Sequence, residues 1–261
     1  MIRVFYRCLV WLMACSAIVA QNNKWATLQP GLELLEGNFQ DQKQLVKFLL
    51  LRCDPTRNEV RVIDTFREIG KGNTLAAFSV RAVSKKTGAL VSLNAGPTAS
   101  YTLPVPVGLL LVRGKVVNQA NFRAANGGIF CVTGDRVAIL NLSSFKSQNC
   151  SYAVQRGPLL TRASASANDD KSERYRRTVL AVDKEGKLLI LVTSEKTTLA
   201  LVAAFLYTSR PDLKVQSALN MDGDASSGLL IAAGRSSKPI EIGSVDALVA
   251  SAIAISSKSG R

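Results

Sequence analysis

The sequence predicts an α+β fold, a single domain with a mixed multi-stranded β-sheet core and two principal flanking helices. Short apolar runs bounded by turn residues recur from Trp25 onward, which is typical of a chain built mainly from strands. Two segments instead space their apolar residues as a helix does. With 261 residues, of which 47% are hydrophobic, the chain is long enough to bury one core.

The strands are predicted from alternating or continuous apolar runs, several of which pair as hairpins. Residues 59–63 alternate charged and apolar side chains, as a half-exposed strand does. Arg113 and Gly114 form a turn between two apolar runs, which indicates a hairpin. The predicted strands are residues 45–51, 59–63, 90–93, 107–112, 116–117, 129–132, 137–140, 178–182 and 188–192.

Two helices and one exposed loop complete the prediction. Residues 73–83 have helical spacing with Thr74 as a fair N-cap, and residues 195–207 have one apolar face with Ser194 as the cap. Residues 164–177 are polar and highly charged, so we expect a loop beside a functional site.

The N-terminus has the pattern of an export signal. Arg3 and Arg7 precede an apolar run at residues 8–20, which is too short to span a bilayer. Cleavage after Ala20 is the first choice; lipidation at Cys15 ranks second and a retained anchor third. We therefore expect a periplasmic or extracellular protein. The expected division is a signal peptide at residues 1–20 and one domain at residues 21–261, without a later transmembrane helix.

Three cysteines remain after such cleavage, namely Cys53, Cys131 and Cys150. Export permits disulfides, and the odd number leaves at least one thiol unpaired within the chain. A Cys131–Cys150 bridge is slightly favoured over three reduced thiols. The spacing fits no zinc site, and the chain has no histidine.

The formal net charge of +14 predicts attraction to anions. The anion could be a phosphorylated sugar, nucleic acid, a cell-wall polymer or a lipid headgroup. A positive charge that only keeps the protein soluble explains the net charge equally well. Nucleic acid fits poorly, because aromatic residues make up only 6% of the chain and the basic residues are scattered. Because the chain has no histidine, any chemistry must use carboxylates, Arg, Lys, Asn, Ser or Tyr.

An acidic, hydroxyl-rich turn between two apolar runs is the main candidate site. It carries Asp222, Gly223, Asp224, Ser226 and Ser227. An EF-hand is excluded, because the loop lacks the required glycine and glutamate. The alternative is a solvated β-turn, since Asp-Gly is common turn chemistry. Two acids and two hydroxyls exceed what a turn needs.

Arg177, directly before a predicted strand, is well suited to binding a phosphate bidentately. Solvation of the preceding loop is the alternative role for this side chain.

The order of several short motifs resembles the phosphodiester glycosidase family from Trp25 to Ile255. The pieces are Trp25–Glu33, Arg52–Pro55, Asn94–Gly96, Gly108–Asn118, Gly128–Phe130, the Gln155-x-Gly-Pro-Leu-Leu segment, Arg177-Thr178 and Leu219–Ser227. Two positions depart from the pattern: Asp224 replaces the second glycine of an Asp-Gly-Gly turn, and Pro97 stands where an aromatic is usual.

The resemblance implies an exported hydrolase that cleaves a glycosyl-phosphate diester. Arg177 would bind the phosphate, and Asp222 would stabilise the cationic sugar or activate water. The alternative is a family member that binds anionic glycopolymer or sugar phosphate without cleaving it. No cofactor is expected, although Asp222 and Asp224 could together ligate a divalent cation; the oligomeric state stays open. The implied catalytic residues are Asp222, Arg177 and Asn94, and the implied substrate-binding residues are Gly96, Gln155, Gly223, Asp224, Ser226 and Ser227.

Overall fold

The computed structural model describes residues 24–41, 44–69, 78–99, 105–123, 127–166, 173–232 and 238–258. The predicted signal segment lies outside these residues. The strands are β1 (Ala26–Gln29), β2 (Leu32–Asp41), β3 (Gln44–Cys53), β4 (Asn58–Asp64), β5 (Val91–Asn94), β6 (Leu110–Val112), β7 (Lys115–Asn118), β8 (Gly128–Thr133), β9 (Arg136–Asn141), β10 (Tyr152–Arg156), β11 (Leu159–Leu160), β12 (Thr178–Asp183), β13 (Leu188–Thr193), β14 (Val215–Asn220), β15 (Gly228–Ile231), β16 (Ile240–Gly243) and β17 (Ser251–Ser257). The helices are α1 (Val80–Thr87) and α2 (Leu199–Ala204).

The strands form three sheets. Sheet 1 has the order β1-β2-β3-β13-β12-β14-β11, sheet 2 the order β7-β6-β10-β8-β9, and sheet 3 the order β16-β15-β5-β17-β4. Every strand pairing among the described residues is antiparallel. The predicted α+β class and single domain are confirmed, with the strands shared among three sheets.

One apolar core joins the three sheets. Its side chains include Leu51 of sheet 1, Phe130 of sheet 2 and Ile253 of sheet 3, all fully buried. The strands β12 and β13 are buried on both faces, which explains why their sequences are continuous rather than alternating apolar runs. These strands lie near the centre of sheet 1. The site described below forms at the end of β12 that follows Arg177.

The two helices cover outer faces of the sheets. Phe205, directly after α2, packs its ring 4.8 Å from that of Phe48 on β3. Val80 and Val83 of α1 pack in a separate cluster with Ala254 of sheet 3. Among the described residues no helix is long and apolar enough to cross a membrane.

Both helices begin later than the sequence suggests. Ser79 caps α1 by accepting a hydrogen bond from the Ala82 N–H at 3.2 Å, and Thr74 lies outside the described residues. Thr198, and not Ser194, caps α2, so that prediction is wrong. The reason is tertiary: Thr197 pairs its backbone with Tyr175 and is thereby held extended.

The segment before β12 is tied to the body of the domain where the structure describes it. Arg174 forms an ion pair of 2.5 Å with the buried Asp41, which also accepts a hydrogen bond from the Thr197 hydroxyl. Among the described residues of this segment the backbone is anchored on both sides of Tyr175. The predicted exposed loop is therefore held in a fixed position over its last residues, through the contacts of Arg174 and Tyr175.

The structure joins Cys131 to Cys150 by a disulfide, which links β8 to the segment that precedes β10. Cys53 is a free, buried thiol at the end of β3. Burial raises its pKa to about 12, so the thiol stays protonated at neutral pH.

Candidate functional site

A cleft of about 800 Å³ opens where the three sheets meet. Sheet 2 contributes Arg156 at the end of β10, and sheet 1 contributes Arg177 directly before β12. The acidic turn passes from β14 of sheet 1 to β15 of sheet 3, and so closes the junction. The cleft is lined by these residues together with Glu173, Tyr175, Asn220, Asp222, Gly223, Asp224 and Ser226.

Backbone hydrogen bonds hold the acidic turn in place. The Asp222 N–H donates to the Ala95 carbonyl at 3.1 Å, and the Asp224 N–H donates to the Arg176 carbonyl at 2.9 Å. A Cβ atom on Gly223 would lie only 2.9 Å from the Arg176 carbonyl oxygen, so a side chain there would push the two segments apart. The turn is therefore fixed between segments from sheets 1 and 3.

Asp224 adopts a left-handed backbone conformation, with φ at 51°. This is the position at which the resemblance expects a glycine. Aspartate tolerates the left-handed region better than most residues, so the turn keeps its shape despite the replacement. The Asp224 carboxylate lies 3.6 Å from the Lys196 ammonium at the cleft edge.

Asp222 presents a half-buried carboxylate to the cleft. Arg156 donates to it through Nη2 at 3.1 Å, and Ser226 forms a side-chain hydrogen bond with it. Burial raises the pKa of Asp222 above its usual value, and the hydrogen bond from Ser226 and the charge of Arg156 oppose that rise. Such a carboxylate is a stronger base than a solvated one when it is ionised.

Arg177 is 6% exposed and is positioned by backbone carbonyls. Its Nε donates to the Thr197 carbonyl at 3.1 Å, and its Nη2 donates to the Glu173 carbonyl at 2.6 Å. The guanidinium also lies over the Tyr175 ring, 5.1 Å from the centroid. Among the described residues no carboxylate pairs with this cation, and a guanidinium has five N–H donors.

The buried surroundings of Arg177 disfavour the charged form of its guanidinium. The pKa of the guanidinium is lowered to about 10, chiefly by burial and to a smaller extent by the positive charge of Arg156, while Tyr175, Glu173 and Asp224 oppose this shift. The group nevertheless remains protonated at neutral pH. Two guanidinium groups thus border one cleft, which is an arrangement suited to an anion.

Arg156 is a charged residue of the cleft that the sequence analysis did not indicate. It stands in the Gln155-x-Gly-Pro-Leu-Leu motif as the unspecified residue, and only the fold brings it to Asp222. Its Nε is buried and has no hydrogen-bond partner in the part of the chain that the structure describes. A signal was present, because an arginine directly after a buried strand residue and before Gly157-Pro158 lies at a strand end.

Asn94 does not border the cleft. Its fully buried side chain donates to the Asp222 carbonyl at 2.7 Å and accepts from the Thr178 hydroxyl at 2.8 Å and the Gly228 N–H at 3.1 Å. The amide therefore fixes the turn that carries Asp222, and its contacts are those of a positioning residue.

Three of the predicted substrate-binding residues also lie behind the cleft wall. Ser227 is fully buried, with its hydroxyl 3.1 Å from that of Thr178. Gln155 accepts from the Leu109 N–H, and the Gly96 N–H donates to the Ser251 hydroxyl. The remaining three, Gly223, Asp224 and Ser226, do line the cleft.

The carboxylates of the cleft do not form a larger acidic cluster within the part of the chain that the structure describes. No group of three or more His, Cys, Asp and Glu side chains that could hold a metal ion occurs there. Asp222 and Asp224 are instead paired with Arg156 and Lys196, respectively.

Comparison with solved structures supports a shared fold. The catalytic domain of the zebrafish N-acetylglucosamine-1-phosphodiester alpha-N-acetylglucosaminidase, auto-inhibited by its pro-peptide, aligns with a TM-score of 0.62 and 17% identity over 93% of this chain and 89% of that one. A Synechocystis protein aligns at 0.60 and 13% identity, covering 90% of this chain and 64% of that one. A Burkholderia pseudomallei protein described as exported aligns with a TM-score of 0.55 and 13% identity. The alignment covers 81% of this chain and 74% of that one.

Sequence comparison shows the family. The Escherichia coli (strain K12) protein YigE is 27% identical over 132 residues, which are 46% of this chain and 51% of that protein, so the match spans about half of the relative's length. The family model described as phosphodiester glycosidase matches residues 87–256, more than half of the chain. That stretch includes Arg156, Arg177 and the Asp222 turn, and the chain belongs to the phosphodiester glycosidase family.

Proposed function

We propose that the protein is a hydrolase that cleaves a glycosyl-phosphate diester and releases the sugar from its phosphate-linked partner. One observation carries the proposal: the Asp222 carboxylate and the cations Arg156 and Arg177 border the same cleft. A sugar phosphodiester needs both, a cationic site for its phosphate and a carboxylate near its anomeric carbon.

Arg177 is the better phosphate ligand of the two cations. Backbone carbonyls fix its direction, and no carboxylate among the described residues forms an ion pair with it. A buried phosphate would in turn offset the cost of burying the guanidinium. Arg156 reaches the same anion from the opposite sheet while it also contacts Asp222.

Asp222 would serve the sugar side of the reaction. The bond between the anomeric carbon and the phosphate oxygen breaks, and its electron pair stays with the phosphate. A water oxygen bonds to the anomeric carbon, and the ionised Asp222 takes its proton or stabilises the cationic sugar. The products are the free sugar and a phosphate monoester, which is a good leaving group without protonation.

The remaining residues divide by position. Gly223, Asp224 and Ser226 border the cleft and can contact substrate, with Ser226 also orienting the Asp222 carboxylate. Asn94, Ser227, Gln155 and Gly96 support the walls from behind. We assign these four to positioning rather than to substrate contact.

The proposed setting is the cell envelope or exopolysaccharide metabolism, after export. The apolar N-terminal segment, the Cys131–Cys150 disulfide and the exported Burkholderia relative support it. Lipidation at Cys15 would give the same compartment with an anchor.

The test is release of sugar from a defined diester. The mature protein is incubated with methyl diesters of N-acetylglucosamine 1-phosphate and of other hexose 1-phosphates, and free sugar and methyl phosphate are measured. Asp222→Asn is expected to lose at least about 100-fold in kcat, whereas Asp135→Asn, in the exposed β8–β9 turn, keeps full activity.

Binding of these diesters without release would favour the non-catalytic alternative. Undiminished turnover by Asp222→Asn would remove Asp222 from the mechanism. No binding and no release with any of the diesters would exclude the function proposed here.

A further inference from the structure

We propose that Asp41, which lies outside the cleft, is a positioning residue that keeps the guanidinium of Arg177 directed at the phosphate. The inference rests on the proposed function, since it deepens the role given there to Arg177 as the phosphate ligand. It adds a carboxylate from the end of β2 to a site that is otherwise built from β10, β12 and the acidic turn.

The direction of the Arg177 side chain depends on two backbone carbonyls from separate segments. Its Nε donates to the Thr197 carbonyl at 3.1 Å, and its Nη2 donates to the Glu173 carbonyl at 2.6 Å. The backbone of Arg177 is held independently, because its N–H donates to the Thr193 hydroxyl at 2.8 Å and its carbonyl accepts from the Thr193 N–H at 2.9 Å. A shift of either of the first two carbonyls would therefore turn the guanidinium while the strand stays in place.

One oxygen of Asp41 joins the two segments that carry these carbonyls. The Asp41 Oδ2 accepts from the Thr197 hydroxyl at 2.7 Å and lies 2.5 Å from Nη2 of Arg174, the residue next to Glu173. Hydrogen bonds to an ionised carboxylate are roughly twice as strong as those between neutral groups. The carboxylate therefore fixes the distance between the two segments, and with it the pair of acceptors that hold Arg177.

The surroundings of Asp41 indicate a persistent contact. An ion pair between two exposed side chains contributes little, but the Asp41 side chain is only 5% exposed, and that of Arg174 is 32% exposed. Removal of one partner of a buried pair leaves the other charge without compensation, so such pairs stay closed. Asp41, Arg174 and Thr197 do not line the cleft, so Asp41 acts through Arg177 and does not contact the substrate.

The charge and the positioning role of Asp41 predict opposite effects on anion binding. Asp41→Asn removes a negative charge near an anion site and leaves Arg174 without its partner. Coulomb attraction alone therefore predicts tighter binding of a phosphate. Loss of alignment predicts weaker binding, because the ligand must then order the Arg177 side chain itself. The direction of the change thus distinguishes the two.

The experiment measures binding of N-acetylglucosamine 1-phosphate and of inorganic phosphate by calorimetry. For Asp41→Asn, we expect Kd for both probes to rise by about three- to tenfold, which corresponds to ordering one long side chain on binding. Thr197→Val removes the hydroxyl at nearly the same shape and should act in the same direction. Thr197→Ser keeps the hydroxyl and should stay within about twofold of wild type. The backbone pairing of Tyr175 with Thr197 remains in all three variants, so we expect them to fold.

Asp64→Asn is the matched control. Asp64 ends β4 as Asp41 ends β2, its side chain is 4% exposed, and it forms an ion pair with Arg67 at 3.5 Å. It does not line the cleft, so its replacement should leave both dissociation constants unchanged. Chemical denaturation of the two Asp→Asn variants compares their losses of stability. Equal weakening of binding by both would show a general effect of stability and would overturn the positioning role.

A second readout needs no ligand. The Nε–H of Arg177 gives an NMR signal that is identified by its absence from the Arg177→Lys spectrum. Because this proton is bonded to the Thr197 carbonyl, we expect it to exchange with solvent faster in Asp41→Asn than in wild type, and at the wild-type rate in Asp64→Asn. An unchanged exchange rate in Asp41→Asn would overturn the proposal.

The outcomes separate this role from the hydrolase function. Weaker binding by Asp41→Asn, in a protein that does not cleave the methyl diester, keeps the positioning role and removes the reaction. Equal or tighter binding by Asp41→Asn, while the wild type cleaves the diester, overturns the positioning role and leaves the reaction. Absence of binding of both probes to the wild type overturns the phosphate site and this role with it.

Discussion

The guanidinium of Arg156 lies 3.1 Å from the carboxylate of Asp222, and the two residues come from different sheets. Arg156 ends a strand of sheet 2, whereas Asp222 follows the strand β14 of sheet 1. This contact makes the basicity of the carboxylate depend on how the two sheets are packed together.

Replacement of Arg156 by Met is expected to move the acid limb of the pH–rate profile. Burial raises the pKa of Asp222, and the positive charge of Arg156 opposes this increase. Without the cation the pKa rises further, so the carboxylate ionises only at higher pH. The acid limb of kcat/KM should therefore shift to higher pH, as measured on a methyl sugar phosphodiester.

Arg156→Lys keeps the positive charge and should leave the limb nearer to its wild-type position. A profile for Arg156→Met that falls in height but keeps its acid limb would show that the two groups are not coupled. Arg57→Met serves as the control, because the Arg57 side chain is 65% exposed and does not line the cleft.

The contrast between Asp222 and Arg156 shows what could be predicted from the sequence. Strands such as β12 and β13 followed from apolar runs, whereas β2, β10 and β17 were not predicted. The acidic turn followed from carboxylates between two apolar runs. The sequence could place Arg156 at a strand end but could not show its contact with Asp222, because the two residues are 66 positions apart in the chain. The cap of α2 was missed for a related reason, since pairing of Thr197 with Tyr175 overrides the local preference at Ser194.

Asn94→Ala tests whether this residue positions the turn or touches substrate. The variant loses hydrogen bonds to the Asp222 carbonyl, the Thr178 hydroxyl and the Gly228 N–H, all in a buried setting. We expect the free energy of unfolding to fall by about 2–4 kcal/mol, as for unsatisfied buried polar groups. Chemical denaturation measures this loss, and kcat should fall with it.

A positioning role also predicts that KM changes less than kcat, since the amide contacts no ligand. Full stability combined with a large loss of kcat would contradict this and return Asn94 to the substrate-contacting residues. Ser92→Ala is a suitable control, because Ser92 is another fully buried polar residue on β5 and its hydroxyl has no hydrogen-bond partner among the described residues.

Substitutions at Asp224 test the left-handed backbone of the turn. Its φ of 51° is easy for glycine and costly for a β-branched residue. Asp224→Gly should leave the free energy of unfolding within about 1 kcal/mol of wild type, while Asp224→Val should lower it by about 1–3 kcal/mol. Thermal or urea unfolding of the two variants gives the comparison directly.

Activity of Asp224→Gly then reports on the carboxylate alone, because the backbone shape is retained. Turnover comparable to wild type would mean that Asp224 and its Lys196 contact are dispensable for the reaction. An equally stable Asp224→Val protein would show that the left-handed conformation is not required in solution.

The buried cation Arg177 predicts an alkaline limit to phosphate binding. Its folded-state pKa of about 10 lies below the usual arginine value because burial disfavours the charged form. As the pH rises through about 10 the guanidinium loses its proton, and with it the attraction for the phosphodiester. The affinity for a sugar 1-phosphate should therefore fall over this range, which calorimetry on the folded protein can follow.

Arg177→Lys should weaken binding by roughly tenfold at neutral pH, because an ammonium cannot make the bidentate contact. The backbone carbonyls of Glu173 and Thr197 would also lose their fixed donors. Circular dichroism at each pH separates loss of affinity from unfolding. An affinity that stays constant from pH 8 to pH 11 in the folded protein would show that Arg177 keeps its proton over this range and would contradict the predicted alkaline limit.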